Sequence, residues 1–94
     1  MTLLEKNFSI RGGEIDLILR SGAYIVFVEV KTRSGAYAGL GREAVTREKQ
    51  RRVCRAAMRY IVEKGLADAF VRFDVVEIQG ARVTHIPNAF SYVE

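Results

Sequence analysis

The sequence is poor in the residues that would place it in several large classes. It has a single cysteine, Cys54, so no internal disulfide can form and nothing calls for an oxidising compartment. Its only histidine, His85, has no cysteine or second histidine at zinc-finger spacing, which argues against a structural zinc site. One proline and an apolar fraction of 49% are not the composition of a disordered tail. No apolar run approaches the roughly 18 residues of a membrane-spanning helix. The N-terminal Met-Thr-Leu-Leu-Glu-Lys-Asn-Phe also lacks the basic-then-apolar layout of a signal peptide. A cytoplasmic protein with no membrane partner is the expectation. A strong charge of one sign is missing too: 15 Lys and Arg against 11 Asp and Glu give +4, so the placement of charge matters more than its sum.

What is present is a chain of 94 residues, one domain near the small end of what a single core can hold together. Residues 1–12 are mixed; Leu3, Leu4, Phe8 and Ile10 predict a short helical end or an extended arm leading into the first strand. Residues 14–20 and 24–31 predict a hairpin that turns at Ser21-Gly22. The Gly-rich stretch TRSGAYAGLGREA follows. It is not a phosphate-cradling P-loop, because Gly41 is followed by Arg42 and Glu43 rather than by Lys and Ser or Thr.

A helix is predicted from Glu43 or Thr46 to Lys64, closed by Gly65. Val53, Ala56, Ala57, Tyr60 and Ile61 form its apolar face, with Cys54 as a small core residue among them. Its other face carries Arg47, Arg51, Arg55 and Arg59 at intervals of four, with Arg52 beside them. Residues 70–78 and 82–86 predict a second hairpin around Gln79-Gly80. The order strand, strand, helix, strand, strand predicts an α/β or α+β sandwich with a mixed sheet.

The first hairpin is unusual in its charges. Strand side chains alternate, so Glu14, Asp16, Ile18 and Arg20 share one face of the first strand, and Ile25, Phe27, Glu29 and Lys31 share a face of the second. A turn at Ser21-Gly22 pairs Asp16 with Phe27 and leaves Glu29 as the diagonal neighbour on the same face. Asp16, Glu29 and Lys31 then converge. Ile18, Ile25 and Phe27 on that face need cover, so the charges sit at the edge of a core and not on a solvent side. Two carboxylates there repel each other and lose hydration unless something compensates. A divalent cation and the Lys31 ammonium would both do so. Hard oxygen ligands select Mg²⁺ or Mn²⁺ over zinc. Such an ion polarises a phosphoryl oxygen and acidifies a bound water, and a nearby lysine stabilises the charge that builds up.

The blocks GEIDLI, VFVEVKTR, AVTREKQRR, RFDVVEI and HIPNAF, in this order, resemble the YraN family of small bacterial proteins. That family is placed in the restriction-endonuclease-like PD-(D/E)xK superfamily and is similar to archaeal Holliday junction resolvases. The likeness runs from about Leu4 to Phe90. It implies a restriction-endonuclease-like mixed β-sheet with a flanking helix, in a single domain. By position, Asp16 is implied as the metal-binding aspartate, Glu29 as the second acidic ligand, Lys31 as the catalytic lysine, and the Val30 carbonyl as a further metal ligand. Lys49, on the inward side of the helix, is implied as an additional site residue; its alternative reading is a lysine snorkelling at the end of a core stripe.

Ile15 stands where the superfamily motif has proline. Family members begin with a helix upstream of Leu4-Glu5-Lys6-Asn7, often carrying another acid, and the present sequence starts only a few residues before that point. Either that helix is absent or the start is truncated; a sheet without it is expected to use Glu5 or, better, Glu14 as a substitute acid, with homodimerisation across the bared face as the repair.

The arginine face, namely Arg47, Arg51 and Arg55, together with Arg33 and Arg42 from the Gly-rich region, forms a candidate surface for nucleic-acid phosphates. Tyr37 is placed to stack on a base or to anchor its loop. No separate sequence-reading module is visible, so recognition by shape is expected. Two readings stand side by side: a Mg²⁺-dependent nuclease acting on DNA, including branched or repair intermediates, and a non-catalytic nucleic-acid-binding or protein-interaction module of the same fold. An RNA substrate is not distinguished from DNA by these residues.

Overall fold

A computed structural model describes residues 1–33 and 45–93 of the chain. Within them lie β1 (Thr2–Ile10), β2 (Gly13–Ser21), β3 (Tyr24–Arg33), α1 (Arg47–Glu63), β4 (Phe70–Gln79) and β5 (Arg82–Phe90). The strands form one sheet in chain order. Neighbours are antiparallel except β3 and β4, which run parallel in register from Tyr24↔Phe70 to Arg33↔Gln79, with α1 in the crossover between them. This five-stranded mixed sheet with one helix is an α/β fold consistent with the restriction-endonuclease-like expectation. Most of the Gly-rich stretch, with Tyr37 and Arg42, lies outside the described residues. No helix among the described residues is long and apolar enough to cross a membrane.

The helix ends are set by local chemistry. Thr46 is extended and its hydroxyl accepts the Lys49 N–H at 3.1 Å, while Glu48 in the first turn favours the positive helix end. At the other end Gly65 takes φ +64, Leu66 N–H reaches the Ile61 carbonyl at 2.9 Å and Gly65 N–H reaches Val62 at 3.3 Å. That pair of bonds is a Schellman closure, which needs a residue free to turn left-handed.

Small residues on the inward side let α1 lie close to the sheet. Val53, Cys54, Ala56, Ala57 and Tyr60 are buried against Ile15, Ile18, Ile25, Phe27 and Phe73. A row of rings crosses this layer: Phe8 to Tyr60 at 5.2 Å, Tyr60 to Phe27 at 6.1 Å, Phe27 to Phe73 at 5.7 Å and Phe73 to Phe90 at 5.2 Å. Cys54 is fully buried, accepts the Val93 N–H at 3.3 Å, and its thiol is pushed up by burial, as suits a packing residue. At Gly13 the approach is so close that any Cβ would overlap the Arg52 carbonyl, while meeting the Ala56 methyl at ordinary contact distance.

Three expectations need correction. Residues 2–10 are not a helical end; they take the extended alternative as a full strand, β1, paired with β2 along its length. Its pattern is irregular because the register shifts between Leu3 and Glu5 and because Asn7 sits at φ 55. The first hairpin turns one residue later than predicted: Ser21 pairs with Tyr24 and Ile18 with Phe27, so Asp16 is not opposite Phe27. Both strands shift equally, so no side chain changes face for that reason. Alternation along β2 does break, since Ile15 and Ile18 both enter the cluster beneath α1. The break falls at Asp16 and Leu17, where pairing with β3 ends. The second hairpin forms, but β5 continues to Phe90, with a register shift opposite Asp74 and with Asn88 at φ 51.

Gly13→Ala is expected to cost about 2–3 kcal/mol, because the helix backbone cannot yield as a side-chain tip would. Urea denaturation should show the midpoint falling with the slope unchanged.

Candidate active site

Beyond Leu17↔Val28 the two hairpin strands part, and the Asp16 carboxylate takes over: its Oδ2 accepts the Val30 N–H at 2.7 Å. Asp16 thereby ties β2 to β3 beside Glu29. Glu29 follows Ile25 and Phe27 on the face under α1, and its side chain is only 5% exposed. Two ammonium groups face it, Lys49 from the first turn of α1 at 3.5 Å and Lys31 from the next position on that face of β3 at 3.9 Å, both to Oε1. They are 28% and 30% exposed, so each stays partly hydrated while reaching a buried acid.

Glu29 remains undercompensated. Burial pushes its carboxyl up, the charge of Asp16 pushes it further, and Lys49 and Lys31 pull back without restoring its ordinary value. Its second oxygen, Oε2, is buried with no hydrogen-bond partner among the described residues. A buried carboxylate oxygen without a partner, next to a second carboxylate, has the chemistry to accept a hard cation. Among the described residues no group of three His, Cys, Asp or Glu side chains converges. A cation here would take two carboxylates, with main-chain oxygen and water completing its shell, which is the habit of Mg²⁺.

Asp16, Glu29, Lys31 and Lys49 are thus brought together, with Val30 contributing its amide to Asp16. Glu14 is exposed and lines a separate groove, and Glu5 bears on the Tyr60 hydroxyl. Arg47, Arg51 and Arg55 lie exposed on α1, Arg33 ends β3, and Arg42 is outside the described residues.

Two acids escaped the sequence reading. Glu77 is buried and stands opposite Lys31 in the parallel β3–β4 register. Strand order does not reveal that register, so nothing in the sequence aligned the two. Asp74 is fully buried on the other face of β4 and is saturated with donors. Arg72 grips it twice, at 2.8 and 2.9 Å; His85 Nε2 lies at 2.7 Å and the Asn88 N–H at 2.9 Å. Burial pushes the Asp74 carboxyl up, but the bonds from Arg72, Asn88 and His85 outweigh it and hold the group below the ordinary carboxylate range. The spacing Arg-x-Asp was the available signal, since it places both side chains on one strand face.

The two buried acids tilt stability in opposite directions with pH. A raised Glu29 keeps its proton longer in the folded than in the unfolded chain, so its contribution declines as pH rises through that raised value. A depressed Asp74 contributes fully above the unfolded carboxylate value and is lost as pH falls through its own. Urea midpoints between about pH 3 and 8 should therefore lose their neutral-side decline in Glu29→Gln, which is at least as stable as the parent at neutral pH. Asp74→Asn should cost roughly 3 kcal/mol at neutral pH and lose part of the acid-side fall.

Comparison with known proteins identifies relatives of this chain. The family described as uncharacterised protein family UPF0102 matches residues 1–78. A UPF0102 protein of Geobacter metallireducens is 48% identical over 92 residues, covering 94% of this chain and 75% of the relative. One from Legionella pneumophila is 41% identical over 93 residues, covering 96% and 79%. One from Frankia alni is 45% identical over 93 residues, covering 94% and 78%.

Proposed function

The chain belongs to the UPF0102 (YraN) family, and from that premise we propose that it is a metal-dependent phosphodiester hydrolase acting on DNA. The observation that carries the reading is Glu29: a buried carboxylate with one orphaned oxygen, repelled by Asp16 and faced by two lysines. Such a group destabilises the fold unless a cation joins it.

Asp16, Glu29 and the Val30 carbonyl would hold Mg²⁺ or Mn²⁺. The ion would supply Lewis acidity toward a phosphoryl oxygen and toward a water at the site. The chain's own residues do the remaining work. Asp16, fixed by the Val30 amide, keeps the two acids at a set separation against the tendency of the strands to part. Lys31, partly hydrated and paired with Glu29, is positioned to orient the attacking water and to stabilise negative charge on the phosphorane oxygens. Lys49, held by the capped start of α1, lends a second positive charge from the helix side, where a phosphate would otherwise meet Glu29 unshielded.

The test is cleavage of linear duplex, single-stranded and four-way-junction DNA by purified protein with Mn²⁺ or Mg²⁺. Metal-dependent cutting that falls 10²-fold or more, on the order expected for losing one transition-state contact, in Lys31→Ala supports the reading. Thermal unfolding gives an independent check: metal should raise the melting temperature of the parent and of Lys31→Ala but not of Asp16→Asn or Glu29→Gln. A metal shift without cutting on any DNA form would assign the chain to the non-catalytic alternative.

A further inference from the structure

Between the Arg11-Gly12 turn and the first turns of α1 lies an open groove of about 710 Å³. Its helix wall presents four cations, Lys49, Arg51, Arg52 and Arg55, against the two carboxylates Glu14 and Glu48. Glu48 is already held by Arg52 at 3.3 Å. Arg51 and Arg55 have no carboxylate partner among the described residues. The opposite wall is formed by Ser9, Ile10, Gly12, Gly13 and Glu14. Gly12 and Gly13 contribute no side chains, and an Arg55 Nη lies 3.9 Å from where a Gly12 Cβ would stand, so this guanidinium reaches across toward the turn.

The chemistry of the lining narrows the ligand. Among the described residues no aromatic ring lines the groove, so they offer no platform for stacking a base. Ile10 is the one large apolar side chain among those lining residues, too little to enter a lipid layer. Arg51 and Arg55 are separated by one helical turn, roughly 6 Å along the axis, and present planar forks suited to successive phosphates. Lys49 is shared: it lines the groove and also pairs with Glu29.

We propose that this groove binds the sugar-phosphate backbone of a nucleic-acid strand, bases turned outward, and leads it past Lys49 to the Glu29 site. The direction of travel rests on the hydrolase reading; the binding itself does not. The groove also separates arginines that the sequence made equivalent. Arg59 continues the same stripe but is paired with Glu63 at 3.0 Å and lies outside the lining.

Fluorescence anisotropy in EDTA tests binding apart from catalysis, using a labelled single strand and an abasic strand of equal length across a salt series. The double variant Arg51→Ser/Arg55→Ser should reduce the salt slope by about 1.4, the value for two lost single-strand phosphate contacts, and Arg59→Ser should change it far less. The abasic strand should bind within about threefold of the base-bearing one, since no stacking is lost. An equal effect from Arg59→Ser would overturn the groove in favour of diffuse attraction, and tenfold or weaker abasic binding would overturn the outward-facing bases. A circular-dichroism melt confirms that these exposed substitutions leave the fold intact. If the groove result holds while no DNA is cut, the hydrolase reading fails alone. If cutting persists in the double variant with KM unchanged, the groove fails alone.

Discussion

The backbone of α1 meets the backbone of β2 at Gly13, and the rest of the arrangement is geared to that contact. With no Cβ at Gly13 and only methyl groups at Ala56 and Ala57, the helix sits directly on the sheet. One turn before the contact, Lys49 is lowered to within 3.5 Å of Glu29. On the outward side, Arg51, Arg52 and Arg55 are lined up along the β1–β2 turn. A helix raised by the thickness of one methyl group would move the lysine from the acid and widen the arginine groove together. Site and surface therefore share a single packing distance, set by one residue with no side chain.

The two faces of the sheet treat buried acid in contrasting ways. Asp74 has Arg72, His85 and the Asn88 amide on its two oxygens, and its charge is stabilised beyond what water provides. Glu29, one strand away on the face beneath α1, has two partly hydrated lysines on one oxygen and no partner among the described residues on the other. The same fold thus satisfies one carboxylate completely and leaves another in deficit. A deficit of that kind is a standing unfavourable energy in the free protein and a reserve of affinity for whatever cation relieves it.

How far the sequence could be read follows from which residues obey local rules. The helix was legible because its signals are local: Thr46 as cap, Gly65 as stop, and small apolar residues at helical spacing. The nearness of Asp16 and Glu29 was legible because they stand on adjacent strands of one hairpin, close to the same end. The alternation rule failed where the chain breaks it, at Asp16-Leu17 and at Asn7, which is why β1 read as an arm and Ile15 was put on the wrong side. Glu77 and Asp74 depend on pairings across the sheet, β3 with β4 and β4 with β5, which no window of sequence contains.

The sheet is open, and its outer strands are β1 and β5. Each is interrupted in the same way: an asparagine in the left-handed region, Asn7 or Asn88, together with a shift of register. A left-handed residue turns the next amide and carbonyl out of the ladder direction, and a bulge adds local twist. Neither edge then offers an unbroken row of donors and acceptors to a strand from another molecule, and Pro87 removes one more donor from β5. The two asparagines thus work against edge-to-edge pairing of the unclosed sheet, the step by which strand edges template fibrous aggregates.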